Sequence, residues 1–227
     1  MAAEGDNSRP TTARLTTPLT GADLRPLNVG DVVFIDGVVF TGREGVYRQV
    51  FDRGLELPLD AADRTVTFHC SPAVAETAPG AFRISAVTAT ASFRFARYMP
   101  RLFDELGVRV VIGKGGMSPE VYEQAFKPRG AVYLTTVGYG LGATYGRAVT
   151  AVRDVFWKDA LGLAQALWVL EVRRFGPFLV ECDAAGRSLF ADHNRRINDT
   201  LARLYENRRP PTLKRLGETA DPGDEML

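Results

Sequence analysis

The stretch VVIGKGGMSPE, residues 110–120, decides how this chain reads. Val110, Val111 and Ile112 are β-branched and the run stops at Gly113, which predicts a short buried strand. Lys114 follows, then Gly115 and Gly116. Ser118 before Pro119 predicts a helix start: serine caps free N–H groups, and proline sits at the first helical position, where its missing N–H costs nothing. Strand, glycine loop and helix in that order build an α/β sheet, and ligands in such sheets lie beyond the carboxyl ends of the parallel strands. Lys114 stands at one of those ends. The order is not that of the phosphate loop G-x-x-x-x-G-K-[ST], because the lysine precedes the glycine pair. Two readings stay open here. The glycines let backbone N–H groups approach a carboxylate or phosphate while Lys114 adds a point charge, or they form a tight turn beside a solvated lysine.

Outward from this point, helix and strand signals alternate. DVVFIDGVVFTG (31–42) gives two apolar runs split by Asp36-Gly37, which predicts a hairpin. Residues 44–53 predict a short helix with Tyr47, Val50 and Phe51 on one side and Gly54 as its stop. RTVTFHC (64–70), AFRISAVT (81–88), AVYLTTVG (131–138) and VRDVFW (152–157) read as strands. FARYMPRLFDEL (95–106), the glycine-rich YGLGATYGRAV (139–149) and GLAQALWVLEV (162–172) read as helices. PFLVECDAAGRSLF (177–190) reads as a hairpin around Ala185-Gly186, and NRRINDTLARLYEN (194–207) as an amphipathic helix. The pattern predicts one α/β domain with a mixed sheet over residues 19–207. Residues 1–18 and 208–227 are polar and proline-rich and read as disordered tails.

Composition narrows the function. The chain has 227 residues, 45% hydrophobic, with a net charge of +1 and interspersed acids and bases. That balance gives no general attraction to nucleic acid or membrane. No apolar run reaches transmembrane length and the first residues do not read as a secretory signal, so a cytoplasmic protein is expected. Cys70 and Cys182 show no C-x-x-C spacing and read as reduced thiols. With His69 and His193 they make no metal site, and this chain alone is expected to bind no metal or cluster. His69 reads as a packed strand residue rather than a catalyst.

Two further stretches bear on Lys114. In TATASFRF (88–95), Thr88, Thr90 and Ser92 recur at period two and Arg94 follows. In FTGREGVY (40–47), Arg43 follows Gly42 at the end of an apolar run. Three cations at three strand ends suit a dicarboxylate, since arginine grips a carboxylate with two parallel N–H groups. The alternative is three solvated charges.

GDVVFIDGVVFTGREGVYRQV, TATASFRFARYMPRLFDELGVRVVIGKGGMS, GAVYLTTVGYG and LGLAQALWVLEVRRFGPFLVECDAAGRSLF occur in an order that resembles the family of L(+)-tartrate dehydratase beta subunits and the C-terminal part of class I fumarases. IGKGGM is the most specific block, and the resemblance spans about residues 27–190. It implies a swivelling β/β/α domain with a mixed central sheet. It also implies a hydro-lyase that adds or removes water across a carbon–carbon bond of a small dicarboxylate such as fumarate/malate or tartrate. The [4Fe–4S] cluster of such enzymes is held by an alpha subunit, and dimers of heterodimers are the implied assembly. Carried over by position, substrate-binding cations fall on Arg43, Arg94 and Lys114. The threonine implicated as base falls on Thr90, with Lys114 also catalytic. Glu44, Tyr47, Ser92, Gly115 and Gly116 are supporting positions. There are departures: where the family has Arg-Asp and a histidine three residues on, this chain has Arg43-Glu44 and Tyr47. HCSP (69–72) replaces a glycine-proline pair, and Gln165 stands in a G-x-x-E-A pattern. These departures leave a second reading, a carboxylate-binding or assembly module without catalysis.

Overall fold

The computed structural model describes residues 10–206; the rest of both expected tails lies outside that range. Nine strands are present. They are β1 (Thr12–Thr16), β2 (Val32–Thr41), β3 (Val66–Phe68), β4 (Cys70–Ala78), β5 (Ala81–Ala89), β6 (Val110–Gly113), β7 (Val132–Thr136), β8 (Val149–Phe156) and β9 (Leu167–Cys182), all among the described residues. The helices are short: α1 (Gly21–Leu24), α2 (Glu44–Tyr47), α3 (Met99–Asp104), α4 (Pro119–Val121), α5 (Gly142–Ala148) and α6 (Lys158–Leu161), followed by the longer α7 (Leu189–Tyr205). The class is mixed α/β, as the alternating pattern predicts.

Strands β2, β3, β6 and β7 lie parallel in that order. β9 runs antiparallel to β7 and also to β2, so the five strands close on themselves. β1 and β8 extend the sheet outside the ring, and β4 and β5 form a separate antiparallel hairpin. Closure explains the side-chain pattern. In β6, Val110 and Ile112 join a core with Ile35, Phe68, Leu134 and Trp168 from the other strands. Val111, facing the other way, packs with Phe40, Tyr133, Leu102 and Phe126 under the helices. Both faces are buried, so the strand reads as a continuous apolar run. One compact unit runs to Phe190, and from Ala191 α7 belongs to another.

Three expectations change. Residues 12–16, assigned by composition to a tail, are β1, in register from Thr12 opposite Val32 to Thr16 opposite Asp36. The Arg14 guanidinium pairs with Asp36 across that ladder, Nη2 to Oδ1 at 2.9 Å, and composition carries no sign of so distant a partner. Asp36-Gly37 does not turn the chain; β2 runs through it with a register shift. Asp36 also accepts the Arg174 main-chain N–H at 2.9 Å, and Gly37 holds φ +101° against Thr17, so the pair makes a bulge. Residues 167–172, read as helix, begin β9, which continues to Cys182 as one strand. Buried from both sides, it loses the alternation that marks a strand. Of the predicted final hairpin, the turn survives, with Gly186 at φ +80° and a single Cys182–Ser188 bridge beyond it.

Gly113 marks the tightest packing near the open rim. A β-carbon there would collide with Ser92 Oγ and lie 2.6 Å from Tyr133 OH. Gly113→Ala is therefore expected to cost about 1–3 kcal/mol through overpacking, seen as a fall of several degrees in thermal midpoint. Gly115→Ala meets no atom within 4 Å; its penalty arises only from the backbone at φ +71°.

Candidate functional site

Gly42, Gly113 and their neighbours bring four chain segments to one rim of the closed sheet. The Gly42 N–H donates to Phe68 O at 2.9 Å, joining the end of β2 to the end of β3. The His69 N–H donates to Ile112 O at 2.8 Å, joining β3 to β6. The chain returning from β5 then inserts between them: Thr90 N–H donates to His69 O at 2.6 Å, and Lys114 N–H donates to Thr90 O at 3.3 Å. Ala91 and Lys114 form a parallel bridge. That bridge sets the segments after β5 and β6 side by side in the main chain.

Arg43 precedes α2 directly. Its Nη1 donates to Ser71 Oγ and to Ala164 O at 3.1 Å, both neutral acceptors. Its Nε is buried without a partner. Burial first, and the nearby Arg94 guanidinium second, make the Arg43 charge harder to hold than in water. Arg94 is exposed, 5.6 Å from the ring of Phe95. Lys114 is half-buried and lines a cleft with Thr88, Thr136, Gly138 and Tyr145. Among the described residues none of these three cations joins an ion pair, while Arg14, Arg97, Arg101, Lys127 and Arg129 all do. The structure thus couples Arg43 with Arg94 electrostatically and Thr90 with Lys114 through the backbone. Thr90 is 9% exposed.

The supporting positions divide. Glu44 is exposed and lines a different cleft with Arg48, Gln49, Arg53 and Gln165. Tyr47 and Ser92 are fully buried. Gly115 supplies a left-handed backbone. Gly116 lies against Tyr122 OH, which a β-carbon would approach to 2.8 Å, and against Glu181 at 3.1 Å. Beneath that loop Tyr122 OH donates to Glu181 and accepts the Met117 N–H at 2.8 Å, and Ser188 Oγ donates to Glu181 Oε1 at 2.6 Å. Burial raises the Glu181 carboxyl above its ordinary value, against the hydrogen bonds from Ser188 and Tyr122 that lower it.

Sequence reasoning missed what lies under the rim. His69 is completely buried, with Nε2 2.7 Å from Tyr47 OH and Nδ1 2.7 Å from Ser92 Oγ. Tyr133 OH donates to Ser92 Oγ at 2.7 Å. Desolvation pushes the imidazole down to about 3. No spacing rule links residues 47, 69, 92 and 133. The only signal was that positions 47 and 69 both depart from the resembling family. Cys70 and Cys182 are buried free thiols, each raised by burial. No group of three or more histidine, cysteine or acidic residues is placed to hold a metal among the described residues.

The rim thus carries cations without acidic partners, with Thr90 bonded to the Lys114 main chain, among the described residues. Comparison with known proteins places the chain in a family. Over 192 residues the chain is 32% identical to a Geobacillus stearothermophilus protein named as a class I fumarate hydratase, matching 85% of this chain but 36% of that protein. It is 29% identical over 206 residues to the L(+)-tartrate dehydratase beta subunit of Escherichia coli K12, covering 90% of this chain and 95% of that one. A Methanocaldococcus jannaschii protein named as the same kind of subunit is 29% identical over 189 residues. The chain thus spans about a third of the hydratase and nearly the whole of each beta subunit. Residues 2–193 match the family described as Fumarase C-terminus, and the chain belongs to that family.

Proposed function

We propose that this chain is the beta subunit of an iron–sulfur hydro-lyase that hydrates or dehydrates a small dicarboxylate of the fumarate/malate or tartrate kind. The observation that carries this reading is a set of cations without counter-ions among the described residues: Arg43 near Arg94, and Lys114 bonded through its main chain to Thr90. The Arg43 guanidinium, half-buried and held only by neutral acceptors, gains a charge-assisted bond when a carboxylate arrives. Arg43 and Arg94 repel each other in the empty site, and one carboxylate between them removes that repulsion. Lys114 adds charge without fixed geometry. Thr90 is a weak base at its free pKa, and neighbouring cations are what would favour loss of its proton.

The cluster of such an enzyme belongs to an alpha partner, because two buried, separate thiols do not fit it as ligands. Phe93, 64% exposed beside Arg94, supports a partner surface over the rim. A dimer of heterodimers, the swivelling β/β/α arrangement and a cytoplasmic location complete the reading; no helix among the described residues is long and apolar enough to cross a membrane. The second reading, a carboxylate-binding module without turnover, is favoured by Glu44, which lines a different cleft, and by Tyr47, which is buried away from ligand.

Anaerobic reconstitution of this chain alone with iron and sulfide should leave no stable cluster, measured by visible absorbance and bound iron. A stoichiometric, active cluster on the isolated chain would sink the subunit reading.

In the complex co-purified with its alpha partner, Lys114→Met, Arg94→Lys and Thr90→Val should each melt within about 2 °C of the parent, a shift worth well under 1 kcal/mol. Each should lose about tenfold to a hundredfold in kcat/KM, matching roughly 1.5–3 kcal/mol for a hydrogen bond to a charged group. The fumarate, malate and tartrate screen that identifies the substrate also provides the assay. Dicarboxylate binding by calorimetry without turnover in the parent would favour the second reading. Full activity in all three variants would mean that the cations are only solvated.

A further inference from the structure

The anion site accounts for the charged residues on the rim but not for the buried polar groups beneath it. Tyr47, His69, Ser92 and Tyr133 come from four segments, the helix after β2, the end of β3, the segment after β5, and β7. All four are fully or almost fully buried. They form one continuous hydrogen-bonded series: Tyr47 OH to His69 Nε2 at 2.7 Å, His69 Nδ1 to Ser92 Oγ at 2.7 Å, and Ser92 Oγ to Tyr133 OH at 2.7 Å. Tyr133 OH also lies 3.4 Å from Lys114 O. Two glycines make room for it, since a β-carbon at Gly42 would strike Tyr47 OH and one at Gly113 would strike Ser92 Oγ. Phe95 closes the side of the imidazole edge-on, with ring centroids 4.8 Å apart.

Residue 69 holds the Thr90–Ser92 arch at both ends. Its main-chain carbonyl accepts the Thr90 N–H, and its ring bonds the Ser92 hydroxyl. The far side of the arch, Thr90 O, in turn accepts the Lys114 N–H. We infer that His69 is the positioning residue of the candidate site, fixing through Ser92 where Thr90 and the Lys114 main chain stand, with Tyr47 holding the other edge of its ring. A neutral imidazole suits this role because it donates at one nitrogen and accepts at the other. The series can then run unbroken from Tyr47 through His69 and Ser92 to Tyr133 and Lys114 O, or from Tyr133 back through Ser92 and His69 to Tyr47, in which case Lys114 O takes no part. An imidazolium would donate at both nitrogens and interrupt it. Burial of the ring keeps it neutral. Tyr47 and His69 thus form one unit, which explains why the chain departs from its resembling family at both positions.

The claim about catalysis rests on the proposed function, so the test has an arm that does not. In the full chain, amide hydrogen exchange followed by NMR is compared for the parent, His69→Asn, His69→Gln and His69→Leu. The asparagine amide can reach Ser92 in place of Nδ1, and the glutamine amide can reach Tyr47 in place of Nε2. Thr90 and Lys114 amides should exchange at least tenfold faster in His69→Leu and His69→Gln, and near the parent rate in His69→Asn. Amides of Leu134 and Val180 should stay as in the parent. Ser92→Ala should reproduce the effect at Thr90 and Lys114, and Tyr47→Phe should not; these two decide the matter if His69→Leu fails to fold. In the complex with the alpha partner, His69→Leu should lower kcat at least tenfold with KM within twofold, and His69→Asn should recover most of it. Equal behaviour of the asparagine and glutamine variants, or a uniform rise in exchange across the sheet, overturns the inference. A parent complex without turnover would overturn the proposed function and leave the exchange arm to decide the role of His69.

Discussion

The pairing of β9 with β2 is the constraint on which the rest of the structure depends. β9 bonds to β2 along most of its length, to β7 at one end and to β8 at the other. That pairing bends four parallel strands into a ring. A ring has only two rims, so the carboxyl ends of β2, β3, β6 and β7 must open on the same one. The β4–β5 hairpin leaves the sheet after Phe68 and delivers Thr90 back to that rim. Arg43 comes near Arg94, and Thr90 bonds to Lys114, for this reason.

The rim keeps its positive character because no acid among the described residues pairs with its cations. Arg43 is held by a serine hydroxyl and a carbonyl, not by an acid. Glu181, behind the glycine loop, is engaged by the Tyr122 and Ser188 hydroxyls. Glu44 lines the next cleft, among Arg48 and Arg53. Had any of these carboxylates paired with a rim cation, the attraction for a soluble anion would have been spent internally.

The sequence revealed what local physics governs. The strand and helix start in VVIGKGGMSPE, the α2 helix, the strands in RTVTFHC and AFRISAVT, and the amphipathic helix after Asp192 are all where their patterns put them. Asp36-Gly37 misled because its turn chemistry is identical to that of a bulge; the distant Arg14, Thr17 and Arg174 decide between them. Residues 167–172 misled because a strand buried on both faces has no period to read. Arg43 and Lys114 were legible as charges after glycine at strand ends, Arg94 as a charge beyond a run of hydroxyls, and the resemblance grouped them as a candidate site. His69 was not legible, since its meaning lies in contacts to residues 22 and 23 positions away.

The unpartnered Nε of Arg43 couples folding to the solution around the protein. That nitrogen is buried and makes no hydrogen bond, so the native state carries the cost of its desolvation, which a carboxylate bound to the guanidinium would offset. Any molecule that binds only the folded form shifts the folding equilibrium by an amount that grows with the logarithm of its concentration. On the proposed function, a dicarboxylate held at this rim would thus act as a stabilising co-solute before any chemistry occurs, and the protein's durability would follow the supply of that compound.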